Sequence, residues 1–129
     1  MRLVSAFAIA LAAAPALAEG SPGAGSAIYE CTYTTYCEND ACQALEVSYR
    51  IVIDAENDSA TIQAFGRETA ARVAQGGRSI TLTWSSPLGG EMVTIDTQAF
   101  RAVHTNHMAT DWAIDVQRMT GECRPAGQE

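Results

Sequence analysis

From residue 45 the chain alternates apolar and polar side chains with a period of two. Leu45, Val47, Tyr49, Ile51 and Ile53 share one face, and Glu46, Ser48, Arg50, Val52 and Asp54 the other. Successive side chains of an extended backbone point to opposite sides, so this pattern predicts a half-buried strand. Ile80, Leu82 and Trp84 repeat it, as do Trp112, Ile114 and Val116, and Tyr29, Cys31 and Tyr33 do so more weakly. Turn-forming residues separate the runs at 54–59, 75–78 and 86–90, with shorter turns near Gly66, 96–99 and 106–111. Asp54 and Asp96 stand at strand ends, where a carboxylate starts a turn by accepting from the backbone two residues on.

The predicted strands are 27–36, 44–54, 59–65, 68–75, 78–85, 91–97, 99–106 and 111–119. Short strands joined by short turns read as an all-β antiparallel meander. Eight of them can close into a small barrel, which removes the exposed edges of an open sheet. A twisted open sheet or a sandwich is the alternative. Residues 67–75 are built of helix formers, so a short helix competes with a strand there. Trp84 and Trp112 fall on apolar faces and are assigned to the core, while Tyr29, Tyr33, Tyr36 and Tyr49 are assigned to one end of the barrel.

The first residues change the picture from a cytoplasmic to an exported chain. Arg2 precedes an apolar run from Leu3 to about Ala14, and Pro15 and Ala16-Leu17-Ala18 then supply a break and a small-x-small cleavage pattern. Residues 1–18 are expected to be a signal peptide and 19–26 a flexible leader. Residues 27–124 would form one β domain and 125–129 a disordered tail. The apolar run is short for a membrane span, so no membrane anchor is expected in the mature form.

An oxidising destination makes disulfides the natural reading of Cys31, Cys37, Cys42 and Cys123. Of the three possible pairings, Cys37–Cys42 closes a short polar loop and Cys31–Cys123 ties the first strand to the last. A zinc site using Cys37-x4-Cys42 is the rival, and it lacks a second close cysteine pair.

Charge narrows the partners. After Ala18 seven arginines face fifteen carboxylates, a net charge near −8, and the chain has no lysine. Such a surface repels nucleic acid and anionic lipid and steers basic partners towards it.

Candidate chemistry is sparse. His104-Thr105-Asn106-His107 is the only histidine cluster. On a strand its imidazoles point to opposite faces. If His107 lay in a turn they could converge, with Asp111 as a third metal ligand. A polar hairpin tip is the simpler reading. The acidic run 54–58 lacks the glycine and distal glutamate of a calcium loop and reads as a turn. No nucleophile elbow, redox cysteine pair or cofactor fingerprint is present, so no catalytic, cofactor or metal residues are assigned.

In overall plan the chain resembles small periplasmic inhibitor proteins, among them the C-type lysozyme inhibitors and bacterial metalloprotease inhibitors. The likeness lies in an export signal, about 100 mature residues, many short strands and terminal cysteines. The lysozyme-inhibitor segments Ser-Gly-x-x-Tyr and Trp-x-Lys-Gly are absent, so no functional residues are carried over. The expectation is a periplasmic or secreted binding module without catalytic activity, acting on a protein or other envelope component, with inhibition of a basic hydrolase its most concrete form. A small-ligand carrier with a barrel cavity is the first alternative, and a metal-dependent enzyme using His104 and His107 the second.

Overall fold

A computed structural model describes residues 26–127. The expected signal peptide and most of the leader lie outside the described residues. Eight strands follow in order: β1 Ser26–Glu38, β2 Ala41–Asp54, β3 Ser59–Ala64, β4 Arg67–Gly76, β5 Ser79–Ser86, β6 Gly89–Asp96, β7 Arg101–Ala109 and β8 Ile114–Pro125. Each pairs antiparallel with its neighbours in sequence, and β8 returns to β1, closing an up-and-down barrel. Residues 67–76 are a strand. Their alternation of Ala71 and Val73 inward with Arg72 and Ala74 outward outweighs the helix propensity of the individual residues.

The strands run one residue beyond the expected domain at each end. Ser26 belongs to β1, and Pro125 to β8. Ala126 donates its backbone N–H to Ile28 O at 2.8 Å, so the start of the expected tail is fixed to the first strand.

The inward residues fill most of the barrel. Ile51, Ile53, Leu82, Val93 and Ile95 are buried among the small residues Ala60, Ala71 and Ala102. Cys31 and Cys123 face each other across the β1–β8 ladder and are joined by a disulfide. The bond therefore lies at the seam where the two ends of the chain meet. Cys37 and Cys42 are joined likewise across β1–β2. At that level β2 has left β3, whose ladder with it spans only Arg50–Asp54. The second bridge thus staples a part of β2 paired on one side only.

One irregularity shapes the interior. The β1 register shifts between Tyr33 and Thr35 against both neighbours, a bulge that puts Tyr36 opposite Met119 and turns it towards the inside. Gly121 lies opposite Tyr33, where a Cβ would stand 2.0 Å from Thr32 O and 2.6 Å from Tyr33 Cα. Only glycine lets β8 approach the bulge this closely.

Candidate functional site

An up-and-down barrel gathers its odd turns at one end. The β1–β2, β3–β4, β5–β6 and β7–β8 connections form what is called here the upper rim. The rim carries Phe65, Leu88, Trp112 and Ile114, which are 82%, 64%, 94% and 66% exposed. Trp112 was expected in the core. The alternation that suggested this runs past the true strand start at Ile114 into a loop, and Trp112 stands outside in water.

These side chains are presented on fixed backbone. Thr110 donates its N–H to Ala113 O at 2.8 Å, and Ala113 N donates back to Thr110 Oγ1 at 3.2 Å, closing the loop beneath Trp112. Leu88 N donates to Ser86 Oγ at 3.1 Å. Phe65 and Gly66 both have positive φ, 51° and 71°, in the two-residue turn between β3 and β4. Glu38, Asp40, Asp111 and Asp115 flank the rim, against Arg67 at the start of β4, and leave it net negative.

Beneath the rim the barrel interior becomes polar and aromatic. Tyr33 and Tyr49 pack with their rings tilted at 39° and centroids 5.1 Å apart, and the Tyr49 hydroxyl donates to the Tyr33 hydroxyl at 2.7 Å. His104 Nδ1 lies 3.0 Å from the Tyr49 hydroxyl, and Nε2 lies 3.1 Å from Glu91 Oε1. Trp84 Nε1 donates to Glu91 Oε2 at 2.9 Å, and its ring packs edge-on against His104. The strands make this meeting inevitable: Val93 pairs with His104 and Trp84 with Glu91, so inward positions of β5, β6 and β7 share one level.

Burial governs the protonation states. It pushes the Tyr33 hydroxyl up to about 12, against a smaller lowering by the Tyr49 hydrogen bond. Tyr49 is raised further, first by burial and then by Tyr33 and Glu91. Both hydroxyls therefore stay protonated in neutral solution. Burial lowers His104, with the hydrogen bond and charge of Glu91 opposing. This chain of groups can orient a polar ligand, and it contains no hydroxyl activated for nucleophilic attack.

A cavity of about 160 Å³ opens above the network, lined by Tyr36, Leu88, Glu91, His104, Asn106, Gln117 and Met119. Small-ligand sites usually enclose about 300–1,000 Å³, so the space suits one side chain better than a carried molecule.

His104 is not at a hairpin tip. It faces inward with Ala102 and Asn106, while His107 is exposed on the outer face. The two imidazoles do not converge. Among the described residues no three His, Cys, Asp or Glu side chains are placed to hold a metal ion. Tyr33 and Tyr49 floor the mouth and Tyr36 lines it, as the grouping of tyrosines anticipated, whereas Tyr29 pairs with Ile51 and Pro125 towards the other end.

Sequence reasoning missed Glu91. A lone glutamate at a strand start reads as solvent-facing, yet Glu91 shares its face with Val93 and Ile95, and that alternation was the available signal. No protein-family model matches the chain, and no curated protein matches it in sequence.

Proposed function

We propose that this chain is an exported, non-catalytic binding module that engages a basic protein of the envelope or its surroundings through the upper rim. The observation that carries the reading is the gathering of Phe65, Leu88, Trp112 and Ile114 at one end of the barrel. Large apolar side chains held out in water on pinned turns add nothing to the core. Aromatic anchors of this kind, rimmed by polar groups, are what protein interfaces bury at their centres.

Charge selects the partner. The whole chain carries a net charge of −7, and carboxylates flank the rim, so a basic surface would be drawn to it and oriented on approach. Inhibition of a basic hydrolase by covering its active-site cleft is the most concrete form of this role. Two disulfides support a periplasmic or secreted location.

The test is capture from envelope extract by oxidised protein beginning at Glu19, beside a Trp112→Ser/Phe65→Asn double variant. A basic partner held by the parent, released by salt and lost by the double variant would support the reading. Equal capture by both proteins, capture only of acidic partners, or no capture would overturn it.

A further inference from the structure

Asn106 is 7% exposed, and its Oδ1 is buried without a hydrogen-bond partner, while its Nδ2 donates to Gln117 Oε1 at 3.3 Å. A stranded buried acceptor is rare in folded proteins and calls for a donor. Asn106 lines the mouth cavity, and so does Glu91. The Glu91 side chain is only 17% exposed, and its partners are the Trp84 N–H and His104. Each of its oxygens has a further lone pair to offer. The ion pairs of Arg50, Arg78 and Arg124 are made elsewhere, with Glu30, Asp96 and Glu122. The walls above are the apolar parts of Tyr36, Leu88 and Met119.

We propose that the mouth is a receptor pocket for one basic side chain, arginine or lysine, presented by the partner protein. The proposal deepens the binding-module reading and rests on it. An aliphatic stem would lie along Leu88 and Met119, and the cationic head would donate to the Glu91 carboxylate and to Asn106 Oδ1. A space of about 160 Å³ falls below the roughly 300–1,000 Å³ of whole-ligand sites and suits a single side chain. Apolar, anionic and metal ligands each leave a group unanswered. An apolar ligand strands Asn106, and an anion meets Glu91. A compact metal ion lacks a third His, Cys, Asp or Glu ligand among the described residues.

The oxidised chain, ¹⁵N-labelled, is titrated with N-acetyl-arginine amide, N-acetyl-lysine amide and N-acetyl-citrulline amide, the last a neutral isostere of the first. The expected result is saturable shifts at Glu91, Asn106, Gln117 and the Trp84 indole with both cations. Citrulline should bind at least about tenfold more weakly, the loss of one charge-assisted hydrogen bond. Glu91→Gln, which keeps an acceptor for Trp84, should weaken arginine binding by a similar factor. Leu88→Arg, at an exposed turn outside the network, should do the same by placing a cation at the entrance. Equal binding of citrulline, shifts confined to outer carboxylates such as Glu30 and Glu56, or no shifts at all would overturn the proposal. Loss of cation binding with partner capture intact would sink the pocket alone. Cation binding without a captured basic partner would sink the module reading alone.

Discussion

Phe65 is held in left-handed backbone at φ 51° and is 82% exposed. For a residue with a Cβ that conformation is strained by roughly 1–2 kcal/mol, and asparagine tolerates it far better. The side chain contributes little burial in return, and under the proposed function its value lies in contact with a partner. Phe65→Asn is predicted to raise stability by about 1 kcal/mol in urea unfolding while weakening partner capture. A lower unfolding midpoint would make Phe65 a structural residue instead. His104 gives a second residue-scale outcome. Burial lowers its proton affinity in the fold, against the pull of Glu91, so the unfolded chain binds the proton more readily. Stability from this source is full above the unfolded value of about 6.5 and falls as pH drops from there towards the folded value. The unfolding midpoint should decline as pH falls below about 6.5, and His104→Gln should flatten that decline. An unchanged slope in the variant would remove His104 as its source. Carboxylates such as Asp96, held low by Arg78 and by the N–H groups of Ala99 and Gln98, lose their contribution only at more acidic pH.

At the scale of the element, the strands were legible because their alternation is strong and their turns are chemically marked. Asp54 Oδ1 accepts from Glu56 N and Asn57 N, and Asp96 Oδ1 from Gln98 N and Ala99 N, the turn chemistry expected of both positions. The cysteine pairing was legible because Cys31 and Cys123 sit on the first and last strands. The β1 bulge and the interior role of His104 were not. Period two assigns His104 and Asn106 to one face of β7 but does not say that this face is inside, since Val103 stands on the other. The bulge leaves a subtler trace in Gly121, whose absent side chain makes room for the Thr32–Tyr33 backbone. Gly121→Ala is predicted to destabilise the barrel by about 1–3 kcal/mol through overpacking, whereas Gly90→Ala, with open space around its Cβ, should change stability by no more than about 0.5 kcal/mol. Similar effects of the two changes in thermal unfolding would contradict the close approach at the β1–β8 seam.

For the whole molecule, division of labour along the barrel axis is the organising feature. A filled apolar core and the Cys31–Cys123 closure occupy the body, and a polar network, a small cavity and four exposed apolar side chains occupy the upper end. Loop closure over 92 residues is worth about 4–5 kcal/mol in the chain-entropy model, a large part of the roughly 5–15 kcal/mol available to a small domain. Such a scaffold can hold an exposed, strained rim without unfolding. The sequence patterns located the body of this barrel well and its upper end poorly, because rim residues such as Trp112 lie beyond the strand ends, where the period of two no longer holds. The most direct measurement is a hydroxyl-radical footprint of the barrel bound to its captured partner. Protection of Phe65, Leu88, Trp112 and Ile114, with the 55–58, 77–78 and 97–100 turns still reactive, is the predicted result. Protection of those lower turns with Trp112 left open to oxidation would contradict the assignment of the upper rim as the binding surface.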